Sequence, residues 1–289
     1  MDAERLSTMD AANEYWHIVK EIPHDDLSYR GKAFQPTAYG RLWNSKTHTM
    51  GEEQYPTRDE LVKRYSWAIP SPKSLRFILD HLDGQGIIEI GAGTGYWAAM
   101  LTLGGADVVA FDKYPPDKRA NWYHSEHEKY WHTITQEDVD EYNERWGYLD
   151  KINSEMVELT EGTEHPFPRI PLPNGPKVGD RQERSRPRED GREIFFPVEE
   201  GSIEKLVQHL DRVLLLSWPP YDKPLATDAL KAFPGDTLIY IGEGAGGCCA
   251  DDDFFDLLDR EWVEDETLWN KHPSWSGIND CITVYRRKS

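Results

Sequence analysis

Positive charge is what this 289-residue chain most lacks: 33 Lys and Arg stand against 52 Asp and Glu, a formal net charge of −19. Proteins meet a phosphate backbone with Lys and Arg patches, so this acidity weighs against a bulk nucleic-acid binder and against a membrane-surface role. Cysteine is scarce as well. Only Cys248, Cys249 and Cys281 occur, an odd number with two adjacent, which argues against a disulfide framework and for a reducing setting. No apolar run approaches the ~20 residues that span a bilayer. The opening Met1-Asp2-Ala3-Glu4-Arg5 has neither the basic start nor the apolar stretch of a secretory signal. There is no internal repeat of solenoid length. A cytoplasmic protein without membrane association is expected.

Apolar and aromatic residues, by contrast, are plentiful. Hydrophobic residues make up 38%, with 11 Trp, 14 Tyr and 9 Phe, enough for a real core and against global disorder. Mean hydropathy is −0.72, so much of the chain must be solvated periphery around that core. Residues 1–70 are polar with scattered aromatics and read as an N-terminal extension or cap. Residues 71–289 read as one α/β domain, with 113–192, charged and then proline-rich, inserted as a helix-plus-loop cap.

Ser71-Pro72 is an N-cap followed by proline at the first helical position, and Leu75, Ile78, Leu79 and Leu82 share one helical face. A turn leads to the buried-strand pattern Ile87-Ile88-Glu89-Ile90, which runs into Gly91-Ala92-Gly93-Thr94-Gly95. A helix through Trp97, Met100, Leu101 and Leu103 stops at Gly104-Gly105, and Val108-Val109-Ala110-Phe111 is the next strand, ending at Asp112. This strand–loop–helix–strand unit implies parallel strands and a right-handed crossover. The alternation resumes with a strand over 194–198, a helix over 203–210, the apolar strand 213–216, a helix over 225–233 and the strand 237–241. A helix behind Asp251-Asp252-Asp253 and a closing strand over 281–285 follow. A doubly wound, mostly parallel sheet of the seven-stranded type, with helices on both faces, is expected. Such sheets bind ligands beyond the carboxyl ends of their strands.

Glycines at the first of those ends allow close backbone approach to a ligand, and a helix start behind them offers N–H donors. Their spacing separates ligand classes. A dinucleotide fingerprint needs G-x-G-x-x-G, whereas here the third glycine arrives one residue early and Tyr96 fills the sixth place; a nicotinamide oxidoreductase would contradict that spacing. Glu89-Ile90-Gly91-Ala92-Gly93-Thr94-Gly95 resembles motif I of class I S-adenosylmethionine-dependent methyltransferases, and Asp112 matches that family's ribose-binding acid. The resemblance covers 71–112 well and 193–289 in outline. It implies S-adenosyl-L-methionine as cofactor and S-adenosyl-L-homocysteine as product. Gly91, Ala92, Gly93 and Gly95 would line the methionine and ribose side, with Glu89 orienting the loop and the cofactor amino group. Glu200 or Ser202, in Glu199-Glu200-Gly201-Ser202, would reach the adenine edge, where capping acids are equally ordinary. Tyr65 or Trp67 would stack on the cofactor or pack the core.

Ser217-Trp218-Pro219-Pro220-Tyr221 resembles motif IV, the (Asn/Asp/Ser)-Pro-Pro-aromatic loop of amino-methyltransferases. There the polar side chain and a proline carbonyl accept from the target amine, and the aromatic residue stacks on a planar substrate. This chain departs from the pattern: Trp218, a donor only, stands directly before Pro219-Pro220, and Ser217 is displaced by one. Ser217, Trp218, Pro219 and Tyr221 are the candidate catalytic residues. Asp222, Glu243 and Asp280 are weaker candidates for a base and serve equally as capping acids.

In the insertion, Thr135-Gln136-Glu137-Asp138 has capping-box character, and Val139, Tyr142, Trp146, Leu149, Ile152, Met156 and Leu159 form an apolar stripe that suits core packing, a lid or a homodimer helix. His165 to Asp190 reads as an exposed loop. His124, His127 and His132 fit no metal-ligand spacing, and the three Asp after Cys248-Cys249 would raise rather than lower a thiol pKa. No metal is expected. Methyl transfer to a nitrogen of a small polar or planar molecule is the preferred function. A nucleic-acid adenine or cytosine amino-methyltransferase and a non-catalytic partner of the same fold are the alternatives. The acidity is spread over the fold and the N-terminal arm, and it weighs against a polyanionic acceptor.

Overall fold

Period-two alternation along the central strands sets the two sides of the molecule. The computed structural model describes residues 2–23, 34–41, 43–44, 47, 49–52, 54–115, 127–144, 147, 175–187 and 193–288. The strands are β1 (Trp43–Asn44), β2 (Thr49–Met50), β3 (Gly86–Ile90), β4 (Val108–Asp112), β5 (His127–Thr133), β6 (Arg181–Pro187), β7 (Glu199–Glu200), β8 (Arg212–Ser217), β9 (Thr237–Gly242), β10 (Trp262–Leu268) and β11 (Cys281–Arg287). On β8, Val213 and Leu215 join one buried cluster, and Leu214 and Leu216 join the other. β9 repeats the split, with Ile239 and Ile241 against Leu238 and Tyr240; β3 parts Ile87 from Ile88 and Ile90. Strands buried on both faces need cover on both.

Seven strands form one sheet in the order β10-β11-β9-β8-β3-β4-β7. β9, β8, β3, β4 and β7 pair in parallel, while β11 runs antiparallel to both β9 and β10. The expected α/β architecture is present: a mixed, mostly parallel seven-stranded sheet with helices. Reversal of strand order at β3/β8 opens a crevice at the carboxyl ends of these two strands, the place where such sheets bind ligands.

The helices are α1 (Ala3–Ala12), α2 (Glu14–Val19), α3 (Arg58–Arg64), α4 (Pro72–Asp80), α5 (Tyr96–Leu103), α6 (136–144), α7 (Leu225–Ala232) and α8 (Asp252–Glu261). α4 starts as its sequence predicts: the Ser71 hydroxyl accepts from the Ser74 amide at 3.2 Å, and Pro72 needs no partner at the first position. A complete capping box between Thr57 and Glu60 starts α3. Met9, Tyr15, Val19, Leu61, Val62 and Tyr65 share a cluster with the α4, α5 and β3 side chains, so 1–70 contributes directly to the core of the sheet.

Two local expectations change, and one strand was not expected. The strand expected over 194–198 is irregular, and only Glu199–Glu200 pairs, with Phe111 and Asp112 of β4. Pro197 has no amide to donate to a ladder. The helix expected over 203–210 is a 3₁₀ turn, Ile203–Gln208. β10 emerges from an acid-rich stretch, Trp262-Val263-Glu264-Asp265-Glu266, whose charges suit a sheet edge.

The described residues fall into two compact units, 1–126 with 188–289, and 127–187. Within the second, β5 and β6 pair antiparallel from His127↔Pro187 to Thr133↔Arg181, which replaces the loop expected over 181–187 with a strand. The Thr135 cap is reciprocal, Asp138 accepting the Thr135 amide at 2.7 Å. Asp138 also binds His132 at 2.7 Å and Arg184 at 2.9 Å; the Thr135 amide, with these partners, holds its carboxyl well below the usual range. Val139 and Tyr142 of the expected stripe are half-buried. Trp146, Leu149, Ile152, Met156, Leu159, the 165–173 loop and His124 lie outside the described residues.

Candidate functional site

At the end of β3 the chain turns through three glycines in the left-handed region: Gly91 at φ 78°, Gly93 at 55° and Gly95 at 74°. Only glycine enters that region without strain. The loop is strapped to the end of β4. Gly91 and Ala92 amides both donate to the Phe111 carbonyl, at 2.8 and 3.1 Å, and the Gly93 amide donates to Asp112 Oδ2 at 3.0 Å. The Gly91, Ala92 and Gly93 amides are thus taken by protein acceptors, as is that of Gly95 by the Ala92 carbonyl, so these positions provide clearance rather than donors.

Two carboxylates lie at this loop. Glu89 is 2% exposed, and one oxygen, Oε2, has no hydrogen-bond partner. Burial, reinforced by Asp112 and only partly offset by the Ala98 amide, pushes its pKa up to about 8. Asp112 accepts from Gly93 and, through Oδ1, from the Tyr114 amide at 2.8 Å; burial raises its pKa, opposed by these bonds. A glycine-floored site bearing two desolvated carboxylates and few open amides repels phosphate. It favours a ligand bearing a cation and hydroxyl donors.

A cavity of about 1100 Å³ opens on this floor. It brings together Glu89, Gly91, Ala92, Gly93, Asp112, Ser202, Ser217, Trp218, Pro219 and Tyr221, drawn from the ends of β3, β4 and β8 and the turn after β7. Gly95 and Glu200 are not in its wall. A Cβ on Gly95 would lie 2.8 Å from Phe196 Cβ, so this glycine lets the 195–198 segment pack against the helix start. Glu200 pairs with Asp112 on β7. Tyr65 touches the cavity, but its ring stacks on Tyr15 (4.8 Å) and Phe195 (5.4 Å) with Arg64 at 4.9 Å. Of the two arm aromatics it is the core residue. Trp67 is the one that stacks on a residue of the Pro-Pro loop.

That stack is with Trp218, at 4.7 Å between ring centroids and 13° between planes. Trp218 sits at φ 50°, costly for a residue with a Cβ, by about 1–3 kcal/mol. Surrounding bonds hold it there. Its amide donates to the Ile241 carbonyl at 2.8 Å, and its indole N–H donates to Asp280 Oδ2 at 3.0 Å. The donor of this residue therefore faces the protein, leaving its ring as cavity wall. The buried Pro219 carbonyl accepts from Ala250 at 3.1 Å, and Tyr221 is 65% exposed at the rim.

The weaker base candidates divide. Glu243 clasps two backbone amides, Cys248 at 2.9 Å and Asn279 at 2.8 Å, which makes it a loop tether. Asp280 is buried between Trp218 and His272, the latter at 3.5 Å, and His272 Nδ1 lies 2.8 Å from the Ser74 hydroxyl. Asp222 is exposed on a left-handed turn. The thiols of Cys248 and, to about 12, Cys249 are pushed upward by burial rather than by the three Asp that follow them. Among the described residues no group of three or more His, Cys, Asp or Glu is arranged to hold a metal ion.

Sequence reasoning passed over Arg58, Trp97, Lys113 and Lys223, all in the cavity wall. Trp97 follows the glycine loop by two residues, and its buried Nε1 has no partner. Its position in the first turn of α5 was the available signal; its apolar neighbours made it read as core. Arg58 carried no such signal, because only folding brings α3 to the sheet's carboxyl end.

No family model matches this chain, and no curated protein matches it. Among solved structures, it is similar to one from Pyrococcus horikoshii described as "a putative RNA methyltransferase", at 12% identity and a TM-score of 0.37, over 96% of this chain and 100% of the other. Among the described residues no helix is long and apolar enough to cross a membrane.

Proposed function

We propose that this protein is an S-adenosyl-L-methionine-dependent methyltransferase acting on a nitrogen of a small planar acceptor. The observation that carries the reading is the buried, unpartnered Oε2 of Glu89 beside Asp112 at the edge of a left-handed glycine turn. The residues fit the cofactor: Glu89 would take its ammonium group, Asp112 its ribose hydroxyls, and Gly91 and Gly93 leave room for its chain. Ser202, in the cavity wall, would reach the adenine edge. When bound, the cofactor supplies an electrophilic methyl carbon on sulfur, whose leaving group is the neutral thioether of S-adenosyl-L-homocysteine.

Displacement of this kind asks the protein chiefly to align acceptor and donor and to keep water out. Trp218 and Tyr221 provide flat walls, and the Pro219-Pro220 pair fixes the backbone between them. In such a transfer the acceptor nitrogen would gain an N–C bond as the methyl–sulfur bond breaks, and would release its proton to solvent. Ser217, at the end of β8 in the cavity wall, supplies the hydroxyl that would accept the amine hydrogen bond. Trp218 cannot, since its side chain carries a donor and no acceptor, and that donor is given to Asp280.

Calorimetric titration with S-adenosyl-L-homocysteine tests the reading. Micromolar binding that is lost in Asp112→Ala is expected; no binding by the wild-type chain would overturn it. The net charge of −19 favours a small acceptor over a nucleic acid. A titration with single-stranded DNA or RNA at low salt would reverse that preference by showing tight, salt-dependent association.

A further inference from the structure

We infer that the methyl acceptor is a flat aromatic acid, its ring against Trp67 and Trp218 and its single negative charge at Arg58 and Lys223. The inference rests on the methyltransferase reading for the use made of Glu89 and Asp112. With those two carboxylates engaged by the cofactor, the charged residues left in the cavity wall are Arg58, Lys113 and Lys223 against Asp228. Three cations against one acid is the reverse of the molecule as a whole, where acids outnumber bases 52 to 33. A local cationic patch in an acidic chain focuses anions to that spot.

The cations are also placed to act on a ring-bearing ligand. Arg58 lies 5.4 Å over the Trp67 ring, and Trp67 in turn stacks on Trp218. Among the described residues the Arg58 guanidinium is ion-paired only through Nε, to the exposed Asp59 at 3.1 Å, and such a fork suits a carboxylate. Lys113 and Lys223 form no ion pair among the described residues. Lys223 stands two residues beyond Tyr221, on the Pro-Pro loop itself. A monoanion suits the site better than a phosphate dianion, because Asp228 remains in the same cavity wall and repels added charge.

Calorimetry on the full chain saturated with S-adenosyl-L-homocysteine, using 2-aminobenzoate and 4-aminobenzoate, checks this. The neutral 2-aminobenzamide tests the charge, and cyclohexanecarboxylate tests the flat ring. At least one aminobenzoate is expected to bind roughly tenfold or more tightly than either control, with that advantage lost in Arg58→Gln and largely kept in Arg58→Lys. Lys223→Gln, at an exposed loop position, reads the same advantage independently of Arg58 packing. Equal binding of acid and amide, no binding of either aminobenzoate, or an advantage that survives both Arg58→Gln and Lys223→Gln would overturn the proposal. The same titrations run without S-adenosyl-L-homocysteine separate the two readings. Arg58-dependent aminobenzoate binding by a chain that does not bind S-adenosyl-L-homocysteine would leave the anion site standing and remove the methyltransferase reading.

Discussion

The Gly93 amide donates to Asp112 Oδ2 at 3.0 Å, across 19 residues of sequence and between the ends of two adjacent parallel strands. The carboxylate expected to meet a ribose is also the clamp that holds the glycine turn open. Asp112→Ala should therefore lose both functions. Asp112→Asn keeps an oxygen for Gly93 and removes the charge. Both variants should weaken S-adenosyl-L-homocysteine binding by about tenfold or more, the worth of a charged hydrogen bond at about 1.5–3 kcal/mol. Asp112→Asn should melt closer to wild type than Asp112→Ala does, as thermal unfolding would reveal.

Glu89 makes binding depend on pH in a stated direction. Its pKa near 8 in the folded chain is raised above the ordinary value near 4.5, so the folded state holds a proton that the unfolded state has lost. Its contribution to stability is most favourable below pH 4.5 and falls as pH rises from there to about 8. Glu89→Gln removes that loss and should raise the melting temperature at pH 8.5, while abolishing the gain in S-adenosyl-L-homocysteine affinity expected of wild type as pH rises from 6 to 8. Melting and titration at those pH values, in buffers of different ionisation enthalpy, would check both signs.

Two glycines of one loop should fail differently. Gly95→Ala places a Cβ 2.8 Å from Phe196 Cβ at a left-handed φ, and should cost about 1–3 kcal/mol or more in denaturant unfolding. Gly91→Ala meets only Leu225 Cδ2 at 3.8 Å. It carries the backbone strain without the clash, so it should be the milder in stability and the more damaging to ligand binding, because it narrows the cavity wall.

Trp218 and Asp280 act as a pair. Asp280→Ala leaves the buried Trp218 indole N–H without its acceptor and removes the carboxylate 3.5 Å from the fully buried His272, a loss of about 1–3 kcal/mol. It should also diminish the near-ultraviolet circular dichroism of the Trp67–Trp218 stack. Asp280→Asn retains an acceptor and should preserve that signal. A stack signal unchanged in Asp280→Ala would show that packing alone positions Trp218.

Much of this fold is legible because its signals are local. The Ser71-Pro72 start, the apolar β3, β8 and β9, the glycine turn and the Thr135–Asp138 cap each depend on neighbours within a few residues, where propensity and pattern operate. The misreadings share a cause of the other kind. β6 reads as loop because Arg181 to Pro187 has no apolar face, and only pairing with β5 makes it a strand. Residues 194–198 look like a strand by composition, but Pro197 and the approach of Phe196 to Gly95 leave the ladder to Glu199–Glu200.

By itself the sequence determined the parallel α/β sheet, the left-handed turn and the acids at the ends of β3 and β4, because backbone conformation and burial are written in residue type and period. Which way the side chains face was decided by tertiary structure alone. Tyr65 and Trp67 are two residues apart and alike in sequence. Packing against Tyr15 and Phe195 buries the first, and stacking on Trp218 makes the second part of the Pro-Pro loop's wall. Trp218 looks like a misplaced acceptor until Asp280, 62 residues on, takes its only donor. Those pairings join segments far apart in the chain, and no local pattern encodes them.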